Sequence, residues 1–221
     1  MIFCLFLFGV VVGDQCEDRI LWQFKDCIAS NDAAPRDIPL GMLDAFSRHG
    51  KIDIGFDLFI DDSYGGKGSN YGYSAKDIAS YGTRNLEAEL WEILLKYRDE
   101  LIKGKVVGVV GSQKPVVESM LLRLGAAHVN TLEYNSLTLN DRRISVFKGN
   151  RFPFEVGVMD LIVASDALQH DGLGRYNDPL CPDADLLTAD YLAGVGRYVI
   201  FSVPTGNKDL VECKCIKLII G

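Results

Sequence analysis

Residues 105–135, KVVGVVGSQKPVVESMLLRLGAAHVNTLEYN, constrain the fold most, because two hydrophobic periods follow one another within a short span. Val106, Val107, Val109 and Val110 make a β-branched run interrupted only by Gly108, the pattern of a parallel strand buried on both faces. A turn follows at Gly111-Ser112-Gln113-Lys114. Pro115 suits the first turn of a helix, where its missing N–H is no loss. Val116, Val117, Met120, Leu121 and Leu124 then recur at helical spacing, and Gly125 ends the helix. The chain re-extends through Val129, Thr131 and Leu132 and delivers Glu133 about 20 residues beyond the turn, where nucleotide-binding α/β folds hold ribose hydroxyls on a carboxylate. Strand, turn, helix and acid together predict a cradle for a nucleoside-containing ligand.

The surrounding chain is long enough to build a sizeable core around that unit. Its 221 residues are 48% hydrophobic and 24% charged, which suits one α/β domain with an N-terminal extension. The net charge of -7 argues against nucleic acid or an anionic membrane surface as the main partner, since both recruit Lys and Arg. Residues 2–12, IFCLFLFGVVV, are an uncharged apolar run too short for an ordinary bilayer span. With small or β-branched residues at Val11-Val12-Gly13, they read as a secretory signal over residues 1–13. The positive charge expected before such a segment is missing, so an uncleaved anchor is the alternative, and only then would a membrane be a partner. The expected location is the secretory pathway or outside the cell. Cleavage would remove Cys4 and leave five of six cysteines, an odd number for a fully paired secreted protein. Cys16 and Cys27 are close enough to close a small loop or to stand as two thiols. Cys213 and Cys215 share one face of a strand without completing a metal set.

In order along the chain, residues 14–83 form an extension of short helices and loop. Residues 61–82, DDSYGGKGSNYGYSAKDIASYG, have the composition of a linker or lid, and Gly65 to Ser69 lack the spacing of a phosphate loop. Residues 84–221 form the main domain. It begins with an amphipathic helix over 84–102, on which Leu86, Leu90, Ile93, Leu94 and Leu101 make the apolar stripe. After the 105–135 unit come a third strand at 144–147, a fourth at 159–164, a short helix at 186–192 and a fifth strand at 198–203. Alternating strands and helices predict an α/β, Rossmann-like three-layer sandwich with a mostly parallel sheet. Beyond Pro204 only one strand, around 210–220, is readily drawn. The sheet is therefore open to being incomplete at the C-terminus, with an exposed edge. Residues 169–186, QHDGLGRYNDPLCPDADL, leave the carboxyl end of the fourth strand and hold far more functional side chains than a connection requires.

The segments GSQKPVVES, GAAHVNTLEYN, SDALQHDGLGRYNDPLCPDADL and FSVPTG together resemble the Caenorhabditis protein of unknown function family, itself similar to divergent class I, S-adenosylmethionine-dependent methyltransferases. The resemblance spans roughly residues 85–210, with HDGLGRYNDP its most specific part. It implies a Rossmann-like sheet, a pocket for S-adenosyl-L-methionine and an acceptor that is a small molecule, a glycan or a protein. Two departures stand out. The helix before Gly196 is short for the family, and its usual Lys-Pro-Gly-Gly exit is replaced by Gly194-Val195-Gly196-Arg197.

The residues bear on that ligand independently. A dinucleotide site wants three glycines so that backbone can approach a pyrophosphate, whereas this turn has Gly111 followed by bulky Gln113 and Lys114. NAD and FAD are disfavoured. The methionyl end of S-adenosylmethionine bears a carboxylate, which the N–H groups of Ser112, Gln113 and Lys114 could meet. Glu133 would take the ribose, and Asp166 stands at the end of the fourth strand beside it. In the loop, His170 is a candidate general base oriented by Asp171 or Asp166, and Arg175 a candidate clamp for an anionic group. The same loop also reads as purely structural, with Asp171 capping a turn and Arg175 pairing with an acid. His49 and His128 have no such context. Two classes follow: a methyltransferase of the secretory pathway, and a non-catalytic Rossmann-like binding or interaction protein.

Overall fold

The computed structural model describes residues 2–7, 38–51, 70–84, 88–153, 156–176 and 178–203. In chain order its elements are β1 (Ile2–Leu7), α1 (Leu40–Phe46), β2 (Asn70–Ser74), α2 (Ala75–Arg84) and α3 (Ala88–Lys96), followed by a π-helical turn (Arg98–Ile102). Then come β3 (Val106–Val110), α4 (Val116–Arg123), β4 (His128–Glu133), β5 (Ser136–Asn140), β6 (Ile144–Lys148) and β7 (Leu161–Ala164). A short 3-10 turn (Leu168–His170), α5 (Ala184–Val195) and β8 (Tyr198–Val203) complete the set.

The main sheet runs β1-β8-β7-β3-β4-β6, parallel throughout except for β1. Side chains alternate across it with period two. Val107, Val109, Val129, Leu161, Val163 and Ile200 face α3 and α4, where they meet Leu90, Leu94, Met120 and Leu121. Val110, Leu132, Ile162, Ala164, Val199 and Phe201 face the other way, toward Leu192 of α5. Continuous apolar strands are thus required, because each successive residue is buried on an opposite face. This is the Rossmann-like three-layer sandwich that the alternating pattern predicts, and each fully buried Leu, Ile or Met contributes about 1.5–3 kcal/mol. Gly108 fits the same logic: a Cβ there would lie 2.9 Å from the Met159 sulfur, so the gap in the valine run makes room for that side chain.

Two local differences from the sequence reading stand out. Of residues 61–82, expected to be a linker or lid, the stretch from Asn70 onward forms β2 and the body of α2, while 61–69 lies outside the described residues. β2 pairs in parallel with β5 from Asn70↔Ser136 to Ser74↔Asn140, and Tyr71 and Tyr73 pack on the core. Ser74 and Asp77 start α2 reciprocally, Ser74 donating from N–H and hydroxyl to Oδ2 (3.0 and 2.6 Å) and Asp77 donating its N–H to the hydroxyl (3.2 Å). The helix predicted over 84–102 is interrupted: α3 ends at Lys96 and the chain widens into a π-helical turn. Leu101 and Ile102 in that turn are both buried in the core. The backbone of residues 2–7 pairs antiparallel with β8 from Ile2↔Val203 to Leu7↔Tyr198. It occupies the edge left open in the sequence reading, whose expected strand at 210–220 lies outside the described residues, as do the Cys16–Cys27 pair, Cys213 and Cys215. No helix among the described residues is long and apolar enough to cross a membrane.

Candidate functional site

The strand order reverses at β3, whose neighbours β4 and β7 belong to the two halves of the sheet. The helices that follow β3 and β7, α4 and α5, cover opposite faces of the sheet, and a crevice opens above the carboxyl ends. A cavity of about 230 Å³ lies there. Val110 and Gly111 line it from β3, Leu132, Glu133 and Tyr134 from β4, and Ser165, Asp166 and Ala167 from β7. The loop beyond β7 adds His170, Asp171, Tyr176 and Asp178, and α5 adds Thr188.

The turn after β3 is fixed from several sides. Gly111 has φ +73°, and a Cβ on it would sit 2.6 Å from the Cβ of Ala167, so both the left-handed backbone and the approach of the β7 loop demand glycine. Its N–H donates to the Leu132 carbonyl (2.9 Å). The Ser112 N–H donates to Glu133 Oε2 (2.8 Å), and the Tyr73 hydroxyl of β2 donates to the Gln113 carbonyl (2.9 Å). β2, unrecognised in the sequence, thus holds the cradle's turn from outside.

Glu133 is 5% exposed and also accepts the Asn135 N–H on Oε1 (2.9 Å). Burial pushes its carboxyl above the usual range, opposed by the N–H donors of Asn135 and Ser112. Each oxygen keeps a lone pair for a ligand hydroxyl. Behind it lies a residue the sequence reading passed over: Glu118 of α4 is fully buried, accepts the Thr131 hydroxyl on Oε1 (2.9 Å), and has no hydrogen-bond partner on Oε2. Burial raises its pKa to about 7, with backbone, Ser112 and Thr131 hydrogen bonds opposing and the nearby Glu133 adding to the rise.

In the loop after β7, Asp166 adopts φ 51°, its N–H donates to the Ser202 hydroxyl (2.6 Å) and its carboxylate accepts the Gln169 side-chain amide. Asp171 accepts the Tyr134 hydroxyl on Oδ1 (2.9 Å) and the Thr188 hydroxyl on Oδ2. Its pKa rises to about 6 through burial first, with Asp178 and Asp185 contributing and the two hydroxyl donors opposing. Asp178 is the loop's internal knot, accepting N–H groups of Gly172 and Gly174 on Oδ2 (2.9 Å each) and of Tyr176 on Oδ1 (2.8 Å). At Gly172 (φ +88°) a Cβ would lie 2.1 Å from the Cys181 carbonyl oxygen. Cys181 is itself disulfide-bonded, to a cysteine whose side chain lies outside the described residues.

Of the sequence candidates, Gly111, Gln113, Glu133, Asp166, His170 and Asp171 come together around the cavity, whereas Ser112 and Arg175 are not in its lining. The partners of these side chains are as follows. Both Asp171 oxygens are held by Tyr134 and Thr188, and Asp166 holds Gln169, while the His170 ring lies edge-on to Tyr176 at 5.6 Å. Arg175 stacks its guanidinium over Tyr176 (4.7 Å). The Ser112 N–H, expected to face a ligand carboxylate, is donated to Glu133. Tyr134, Thr188 and Tyr73 went unrecognised, although Tyr134 stands beside Glu133 in the EYN segment. His49 and His128 behave as packed or surface residues, contacting Asp44 (2.6 Å) and Ser145 (2.9 Å), and no metal-holding cluster exists among the described residues.

Residues 104–211 match the family described as Caenorhabditis protein of unknown function, DUF268, so the resemblance is shown over that span. No curated protein matches the chain. Similar solved structures include a "putative RNA methyltransferase" from Pyrococcus horikoshii, at 18% identity and TM-score 0.36, covering 55% of this chain and 70% of that one. Protein arginine methyltransferase 10 from Arabidopsis thaliana is similar at 17% identity and TM-score 0.28, over 40% and 28% of the two chains. A "putative Zn-dependent alcohol dehydrogenase" from Rhodobacter sphaeroides is similar at 16% identity and TM-score 0.32, over 54% and 52%. Likenesses this distant say nothing of activity, and the fold rests on the strand order.

Proposed function

We propose that the chain binds S-adenosyl-L-methionine in the crevice above β3, β4 and β7 and is a methyltransferase-like protein acting on a small molecule, glycan or protein. One observation carries the reading: Glu133 lines a cavity at the switch point of a Rossmann-like sheet, beside a turn whose single glycine has no room for a side chain. The lining also suits this ligand better than a dinucleotide. It contains four acids and no Lys or Arg, which favours a sulfonium and opposes a pyrophosphate. Glu133 would accept the ribose hydroxyls, and S-adenosylmethionine, when bound, would supply a transferable methyl group. Passage through an oxidising compartment belongs to the same reading, supported by the disulfide at Cys181.

Titration calorimetry on the full-length protein with S-adenosylmethionine and S-adenosylhomocysteine tests this. Binding should weaken roughly tenfold or more on Glu133→Ala, the scale of losing hydrogen bonds to a buried carboxylate. Absence of binding by both ligands to folded protein refutes the reading.

A second reading, a binding protein without transfer chemistry, is favoured by the Ser112 N–H, which is donated to Glu133 and so is withheld from a ligand carboxylate. Ligand binding without methyl transfer to any acceptor fraction would select it.

A further inference from the structure

Glu118 lies under the cradle without lining the cavity, and none of its surface is exposed. Thr131 and Glu133 are two residues apart on β4 and so face the same way, toward α4, which carries Glu118 in its first turn. The Thr131 hydroxyl donates to Glu118 Oε1 (2.9 Å), whereas Oε2 is enclosed and has no hydrogen-bond partner. Among the described residues no Lys or Arg is ion-paired with this carboxyl. The ionisable groups that face it are Glu133 from β4 and Tyr73 from β2, and neither supplies a positive charge. An ionised Glu118 would therefore bury a full charge on neutral donors, with one oxygen unserved and a second acid alongside. The amino end of α4 favours an anion, but burial outweighs it and holds the carboxyl up. A proton removes the charge and turns the bare oxygen into a hydroxyl.

Ser112 links this acid to the cavity. Its N–H donates to Glu133 Oε2 (2.8 Å), its hydroxyl donates to the Lys114 carbonyl (3.2 Å), and the same side chain reaches Glu118. A serine hydroxyl has one proton, so while Lys114 receives it Ser112 can meet Glu118 only as an acceptor, which the neutral acid suits. An ionised Glu118 would compete for that proton, draw the hydroxyl away from the turn and set a second negative charge beside Glu133.

We propose that Glu118 is a positioning residue, held as a neutral acid, that acts through Ser112 to keep Glu133 as the charged acceptor for a vicinal diol in the cavity. That the diol belongs to the ribose of a nucleoside rests on the reading in the preceding subsection; the neutral acid rests on the burial of Glu118, its bare oxygen and the lack of a cation. Glutamine keeps an acceptor for Thr131 and a donor in place of the acid hydroxyl, so it should substitute for Glu118. Alanine keeps neither.

Calorimetry on the full-length protein and its Glu118→Gln and Glu118→Ala variants, with S-adenosylhomocysteine and its 2′-deoxy analogue, tests the proposal. The unaltered protein should prefer the intact ribose by about tenfold or more, the scale of a ligand hydroxyl donating to a carboxylate. E118Q should keep that preference to within about threefold, and E118A should lose it. The readout is the ratio of two ligands on one protein, which a general loss of stability does not move. No preference in the unaltered protein, full preference in E118A, or its loss in E118Q overturns the proposal. Infrared difference spectra of the unaltered protein against E118Q, in mildly acidic buffer, read the proton directly. The variant should lack one protonated-carboxyl C=O band, and loss of a carboxylate band in its place overturns the proposal as well. If E118A does not fold, E118Q and the infrared spectra decide. If neither ligand binds the folded protein, the proposed function fails and the diol assignment with it, while the infrared spectra still decide whether Glu118 is a neutral acid.

Discussion

Replacing Glu118 by Gln should stabilise the protein at alkaline pH and change little in acid. The carboxyl sits under the cradle on α4, fully buried, with the Thr131 hydroxyl on one oxygen and no hydrogen-bond partner on the other. Its pKa is raised from 4.5 to about 7. A group whose folded pKa exceeds its unfolded value contributes fully below the unfolded pKa and loses that contribution as pH rises through the folded one. Here the window runs from about pH 4.5 to about pH 7, and the loss amounts to about 3 kcal/mol at 1.36 kcal/mol per unit. Roughly 2 kcal/mol of it falls between pH 5 and pH 8. Glutamine keeps the shape and an acceptor for Thr131 but cannot ionise. Urea unfolding of both proteins at pH 5 and pH 8, compared through the midpoint at constant slope, measures the difference. The variant should gain about 2 kcal/mol relative to the parent between the two pH values. An equal effect of the substitution at both pH values would show that Glu118 does not titrate as a buried acid, and the burial argument would fail with it.

Two further changes probe the walls of the cavity. Gly172→Ala places a Cβ 2.1 Å from the Cys181 carbonyl oxygen at φ +88°, and should cost about 3 kcal/mol or more, seen as a fall in Tm of roughly 6 °C or more; an unchanged Tm would contradict the close packing of that loop. Tyr73→Phe removes the donor to the Gln113 carbonyl and should cost about 1 kcal/mol, with faster amide exchange confined to the turn over 111–114. Unaltered exchange there would separate β2 from the cradle.

The unit from β3 to β4 was legible because period two and period 3.6 follow each other between a glycine turn and a glycine stop, and each could be checked against the other. The same register placed Glu133 at a strand end, and the cavity lies there. What escaped the sequence depends on long-range partners. Nothing in Asn70–Ser74 announces a strand, since its tyrosines and glycine read as loop until β5 supplies the parallel partner. Glu118 occupies a helical position that looks like a solvated face, yet in the fold it is buried and accepts the Thr131 hydroxyl of β4. Asp171 accepts the hydroxyls of Tyr134 and Thr188, 37 and 17 residues away, which its sequence neighbours do not reveal. Separation along the chain conceals such hydroxyl donors.

The antiparallel pairing of β1 with β8 has a consequence for the order in which the molecule is assembled. Among the described elements a ribosome makes the strand Ile2–Leu7 before the others, and the strand it pairs with, Tyr198–Val203, after them. The first strand must therefore wait, unpaired, through the synthesis of everything between them. Domains fold as units during synthesis at about 5–20 residues per second, so that wait lasts on the order of ten to forty seconds. The parallel core can form meanwhile, whereas this edge closes only afterwards, through the longest loop closure in the described fold. Until then this strand is an unpaired edge segment, and the sheet gains its antiparallel border only after its partner has emerged.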